Sequence, residues 1–150
     1  MRILALNYEF PPLGGGASNA TAHICRELVQ LWAEVQVLTS GFPGIPQQED
    51  LWGFQVQRVP VVRKAIHQSS PHEMATFIVS AMLPALQLCR SFRPHIVHAY
   101  FAVPTGVVAA VLKAFIGTPY LLSLRGGDVP GFLPGTLGLV HQLIAPLTRV

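Results

Sequence analysis

Short apolar runs alternate along the chain with longer segments whose apolar residues recur every three or four positions. The runs Ile3–Leu6, Val35–Thr39, Phe54–Val59, His95–Ala99 and Tyr120–Leu124 have buried-strand length and predict five strands. Between the first two, Ala20, Ile24, Leu28 and Leu31 recur at helical spacing, widened by Cys25, Val29 and Trp32, with Ser18 or Asn19 as the expected N-cap. Pro71 suits the first position of a second helix running to about Phe92, which Pro84 is expected to kink. Its buried stripe is Met74, Phe77, Ile78, Ala81, Met82, Ala85 and Cys89. Val103–Phe115 predicts a third helix stopped by Gly117, and a last one is expected from about Gly135 to Val150. Pro11 and Pro12 forbid continuation of the first strand, and Ser40–Gly53 reads as a long loop. Strands alternating with helices, without internal repeats, predict an α/β fold: a Rossmann-like, doubly wound parallel sheet.

Composition sharpens this picture. Hydrophobic residues make up 51% of the 150 positions and charged ones 11%, against roughly 25% charged in an average globular chain. Such a chain buries enough apolar surface to exclude intrinsic disorder. A parallel sheet covered on both faces explains the mean hydropathy of +0.45. The longest apolar stretch, Phe101–Leu124, is broken by Pro104, Gly106, Lys113, Gly117 and Pro119, unlike the roughly 20 uninterrupted apolar residues of a spanning helix. A net charge of +3 is not the concentrated cationic footprint of a nucleic-acid binder. Cys25 and Cys89 lie in apolar helical patterns and read as buried small hydrophobes in a reducing compartment. Arg58, Arg63 and Lys64 read as a solvated face, or else as an attraction for anionic head groups or a phosphorylated acceptor.

In an open parallel sheet, ligands bind outside the carboxyl ends of the strands. Three segments meet that condition: Tyr8–Gly16, His98–Thr105 and Arg125–Asp128. Gly14, Gly15 and Gly16 precede a helix, where backbone N–H groups and the helix dipole suit a nucleotide phosphate; the alternative is a flexible loop without a ligand. A dinucleotide-binding oxidoreductase is disfavoured. Asn19 stands where the third fingerprint glycine belongs, the glycines follow Pro11–Pro12 rather than the strand, and the second strand ends in Thr39–Ser40 without an acid. His98 ends the fourth strand and faces the same crevice, where it reads either as a hydrogen-bonded structural residue or as a site residue, whereas His95 reads as structural. His23, His67, His72 and His141 form no cluster, and neither H-E-x-x-H, C-x-x-C nor G-x-S-x-G occurs.

Four segments, in order, resemble glycosyltransferase family 4. They are the opening Met1–Leu4 through Pro11-Pro12-x-Gly14-Gly15-Gly16; Pro94–Phe101 followed by Pro104-x-Gly106; Gly117-x-Pro119-Tyr120; and Leu124-x-Gly126-Gly127-Asp128-Val129-Pro130. The resemblance implies the N-terminal half of a GT-B architecture, with residues 1–150 forming a Rossmann-like, acceptor-side domain. It implies that the chain is truncated, lacking the C-terminal, donor-binding domain. It also implies a retaining transfer of sugar from a nucleotide-sugar donor to a saccharide, lipid or small-molecule acceptor, with no required metal or other cofactor. By that resemblance Gly15 and Gly16, with Gly14, would lie against the donor diphosphate and sugar, and His98 and Asp128 would face acceptor or sugar hydroxyls. Three places depart from the family pattern: Tyr100 replaces the second His of His-x-His, Arg125 replaces the His of His-Gly-x-Asp, and Ala33-Glu34 replaces the Gly-His before the second strand, a change expected to affect only the turn. Arginine does not deprotonate, so Arg125 is expected to act as a charge clamp rather than a base, the alternative being an altered active site. The other reading is a non-catalytic subunit that completes its cleft with another chain. A cytoplasmic location is expected, with peripheral contact at the inner membrane face through the second helix and its basic neighbours.

Overall fold

A computed structural model describes residues 1–66 and 70–128. The expected helix from Gly135, with His67 and His141, lies outside the described residues. In chain order the elements are β1 (Arg2–Leu6), α1 (Gly16–Gln30), β2 (Glu34–Ser40), β3 (Gln48–Leu51), β4 (Phe54–Val59), α2 (Pro71–Ser91), β5 (Ile96–Tyr100), α3 (Val107–Ile116) and β6 (Tyr120–Ser123).

They build one six-stranded sheet in the order β3-β4-β2-β1-β5-β6. Every pairing is parallel except β3 with β4. The sheet is therefore Rossmann-like, as expected, with an antiparallel edge that the apolar pattern did not announce. The segment expected to be loop, residues 40–53, contains β3. It turns into β4 through Trp52 and Gly53, both at positive φ (47° and 86°). Such two-residue hairpins usually carry Asn-Gly or Asp-Gly, and Gln48–Leu51 offers no apolar alternation, so the sequence hid this strand.

Period-two alternation sorts the strands into two cores. Ile3, Ala5, Val35, Val37, Phe54 and Val56 pack with Phe10, Ala22 and Cys25 under α1. Leu4, Leu6, Leu38, Val59, Val97 and Ala99 pack with Phe77, Ala81, Ala85 and Cys89 of α2 and with Val108, Ala109 and Leu112 of α3. Each large side chain so buried contributes roughly 1.5–3 kcal/mol. Both cysteines are free and buried, as expected, and burial pushes the Cys25 thiol up to about 12. By length and apolarity α2 would suffice to cross a membrane. In this fold its Phe77, Ala81, Ala85 and Cys89 stripe lies on the sheet.

Local signals explain the helix boundaries. Pro71 opens α2 behind a complete capping box: Glu73 N donates to Ser70 Oγ, and Ser70 N donates to Glu73 Oε2. Gly117, at φ +84°, ends α3. The N-cap of α1 is Gly15 rather than Ser18 or Asn19, and Ser18 is buried inside the helix. Helix α3 begins four residues later than expected, because Ala102–Gly106 forms an irregular turn in which Val103 is extended. Thr105 fastens that turn, donating to Tyr100 O and Phe101 O.

Candidate functional site

The strand order fixes where a crevice can open. From β1 the chain proceeds outward to β2 on one side and later returns to β5 on the other. The carboxyl ends of β1 and β5 thus flank the topological switch point, where the segments leaving the sheet diverge. Asn7–Gly16 leaves from β1, and Phe101–Gly106 leaves from β5.

The first segment is held by buried polar contacts. Asn7 is fully buried; its Nδ2 donates to Thr21 Oγ1 at 2.8 Å, and its Oδ1 accepts from Glu9 N at 3.1 Å. Arg58 Nη2 donates to Pro11 O at 3.0 Å and pairs with Glu49 Oε2 at 2.8 Å, while Nη1 donates to Pro46 O. Arg63 pairs with Glu9 Oε1 at 3.1 Å and donates to Ala65 O and Ile66 O. Both guanidinium side chains are almost wholly buried (1% and 2% exposed). Arg58 and Arg63 therefore do not form the solvated face expected with Lys64. A buried cation must be paired, and the fold brings Glu49 and Glu9 to them.

The three glycines have different duties. Gly14 adopts φ +85°, and a Cβ there would come 2.5 Å from Glu9 Oε2. Its N–H donates to Ile66 O at 2.8 Å. Gly14 is thus a residue of the turn and its donor is already engaged. Around Gly15 and Gly16 nothing lies within 4 Å of an added Cβ. They open α1, which has no side-chain cap and no acidic residue in its first turn. That helix end keeps its partial positive charge of roughly half a unit.

The other two segments close on the first. The Tyr8 and Phe101 rings meet edge-on at 5.1 Å between centroids. Ala102 N donates to Asp128 Oδ2 at 2.8 Å, and Asp128 N donates to Arg125 O at 3.1 Å. Burial, then the charge of Glu9, raises the Tyr8 phenol above its ordinary range, with Asp128 adding a smaller push in the same direction. The loops after β1, β5 and β6 therefore share one locality, with Tyr8, Phe101 and Asp128 at its centre.

His98 lies two residues inside β5 rather than at its end, because the strand continues to Tyr100. Its ring stacks on Tyr100 at 4.1 Å, and its Nε2 is 2.8 Å from Ser123 Oγ. Burial, and then the charge of Arg125, lowers its pKa to about 4, so the imidazole is neutral near neutral pH. The Arg125 guanidinium lies over the Tyr100 ring at 5.4 Å, and among the described residues its buried Nε has no hydrogen-bond partner. The buried Tyr100 hydroxyl likewise has none among the described residues. Among the sequence-selected residues, His98 and Arg125 thus share the Tyr100 ring, and Asp128 ties the β6 loop to the turn after β5. His95 is structural, its Nδ1 accepting from Arg2 N at 2.9 Å.

Sequence reasoning placed Tyr8 and Glu9 in a ligand-facing segment without giving either a role, and it did not find Ser123. Ser123 could not be found, because its approach to His98 depends on the β5–β6 register, which sets Tyr100 opposite Ser123. What the locality offers chemically is clear. A helix N-terminus and a guanidinium suit an anion, and neutral imidazole, phenol and carboxylate groups suit hydroxyls.

The chain resembles known proteins in sequence, in family pattern and in fold. The chain is 28% identical over 155 aligned residues to a 2-deoxystreptamine N-acetyl-D-glucosaminyltransferase of Streptomyces fradiae, covering 98% of this chain and 37% of that protein. It is 37% identical over 87 residues to a putative teichuronic acid biosynthesis glycosyltransferase of Bacillus subtilis, covering 56% of this chain and 21% of the relative. The chain therefore spans little more than a third of the first relative and about a fifth of the second. The fold superposes on sucrose-phosphate synthase from Thermosynechococcus elongatus with a TM-score of 0.72 at 13% identity, over 95% of this chain and 39% of the other. Residues 15–150 match the model of the glycosyl transferase 4-like domain. The chain belongs to that glycosyltransferase family, and its sheet is the Rossmann-like fold found in GT-B enzymes.

Proposed function

We propose that this domain is the acceptor-side wall of the cleft in a retaining glycosyltransferase that takes its sugar from a nucleotide-sugar donor. The observation that carries this reading is the meeting of the loops after β1, β5 and β6 at Tyr8, Phe101 and Asp128, beside the open, uncapped start of α1. The donor diphosphate lies against Gly15 and Gly16, where no side chain intrudes and the helix end is electropositive. Arg125 stabilises negative charge as the leaving diphosphate develops it, a role that needs a fixed cation and no proton transfer. His98, held neutral, and Asp128 serve as hydrogen-bond partners to sugar or acceptor hydroxyls. No metal has a step in this scheme.

One wall neither excludes water nor orients two substrates. The 150-residue chain by itself is accordingly expected to bind nucleotide sugars weakly and release no nucleotide from them. Nuclear magnetic resonance titration with UDP-, GDP- and ADP-glucose checks this. The Gly15 and Gly16 amides and the Arg125 side chain should shift, and Arg125→Gln should weaken binding by about tenfold, the loss of one charge-assisted hydrogen bond. Tighter binding of a nicotinamide dinucleotide at the same residues, or measurable sugar turnover, would overturn the assignment.

A further inference from the structure

A cleft of about 470 Å³ lies on the α2 face of the sheet, where the last residues of α2 pass over β2, β3 and β4. Its size falls within the roughly 300–1,000 Å³ usual for small-molecule sites. The β-strand period and the register determine what lines it. Gln36 is paired with Gln55, Gln55 with Asp50, and Gln57 with Gln48, so these five side chains share one face. Farther along the same face stand Leu38 and Val59, buried beneath α2. The face thus changes from aliphatic to amide as α2 ends, and Phe92 borders the change.

Two observations separate this array from an ordinary solvated sheet rim. Exposed rims and edges are commonly blunted with lysine and other charges, whereas four of these five positions carry neutral amides. The amides are also organised. Gln36 Nε2 donates to Gln55 Oε1 at 3.2 Å, and this leaves Gln36 Oε1 buried without a partner among the described residues. A buried acceptor costs free energy until a donor fills it. The carboxylate of neighbouring Glu49 pairs with Arg58, which faces the opposite core.

We propose that this cleft binds a neutral saccharide, at the opposite end of the strands from the transfer site. Each sugar hydroxyl both donates and accepts, and each glutamine amide does the same. The Asp50 carboxylate accepts from adjacent hydroxyls, and the Phe92 ring packs against the C–H face of a pyranose. The lining side chains include no cation, so an anionic sugar is disfavoured. This inference does not rest on the transfer reaction proposed above, because it involves different residues at the other end of the sheet.

The test titrates nitrogen-15-labelled protein with maltotetraose, cellotetraose and chitotetraose, with glycerol and glucuronate as controls. A tetrasaccharide should shift the side-chain amide signals of Gln36, Gln55 and Gln57 and leave the Gly15 and Gly16 signals in place. Gln55→Leu and Gln48→Ala alter exposed positions, and each should weaken binding by about tenfold while the rest of the spectrum is unchanged. Absence of amide shifts with all three tetrasaccharides would overturn the proposal. So would equal shifts with glycerol, tighter binding of glucuronate, or sugar shifts confined to the Tyr8–Gly16 loop. Failure of nucleotide sugars to shift Gly15 and Gly16 would overturn the transfer reading and leave this one standing.

Discussion

Arg58 and Arg125 stand on opposite sides of β1, and the fold uses them differently. Arg58 on β4 is buried, pairs with Glu49, and donates to the carbonyls of Pro11 and Pro46. It holds the β1 loop and the segment before β3 to the sheet. Arg125, after β6, rests on the Tyr100 ring and, among the described residues, its guanidinium forms no ion pair. Its neighbour His98 is kept neutral rather than paired with an acid. The first half of the molecule commits its buried guanidinium groups to holding loops, and the second leaves a cation available. Chemistry is expected where a charged group is positioned by packing and not consumed by the fold.

The largest effect that could break this contrast comes from exchanging the two cations. Arg58→Met should cost about 2 kcal/mol in urea unfolding, since two carbonyl acceptors lose their donor and the partly exposed Glu49 loses its partner. Arg125→Gln should cost no more than about 1 kcal/mol, the contact of its guanidinium with the Tyr100 ring. Equal losses from both would erase the distinction.

The glycines provide the next test, within one loop. Gly14→Ala must place a Cβ at φ +85° and against Glu9, so a loss of roughly 2 kcal/mol is expected. Gly16→Ala meets nothing within 4 Å at the first residue of α1 and should hold or raise stability by up to about 1 kcal/mol. The same variant should weaken nucleotide-sugar binding. If Gly16→Ala leaves that binding intact, the open surface there does not serve a ligand.

The smallest effect sharpens the picture of the second half through pH. His98 ionises near 4 in the folded protein, below its ordinary 6.5. Between those values the unfolded chain takes up the proton first, so stability falls as pH drops from about 6.5 towards 4. His98→Gln should flatten that part of the stability curve. Glu73 acts in a lower window. Hydrogen bonds from the Ser70 and Lys64 backbone hold its pKa below 4.5, so its contribution is intact above 4.5 and is lost as pH falls through the depressed value. A wild-type slope between pH 6.5 and 4 that persists in His98→Gln would show that other groups govern it.

Much of this organisation is legible along the chain. Apolar runs located β1, β2, β4, β5 and β6 to within about two residues at their ends, because buried parallel strands need little beyond apolar continuity. The Ser70–Glu73 box and Gly117 are local devices, and local devices are written locally. Edge strand β3 escaped notice because Leu51 is its one apolar residue and its turn lacks the usual residues. The N-cap at Gly15 escaped because Ser18 and Asn19 match the ordinary preference, while the chain needs flexibility earlier, where it leaves the Pro11–Pro12 bend.

By itself the sequence determined the alternation of strands and helices, the two covered faces of the sheet, the glycine run before the first helix and the family to which the chain belongs. Each depends on residue type and short spacing. Only the tertiary structure decided that Arg58 and Arg63 are buried rather than solvated, that Gly14 is a turn residue while Gly16 is open, and that Ser123 meets His98. These relations join residues far apart in the chain, and strand order and register bring them together.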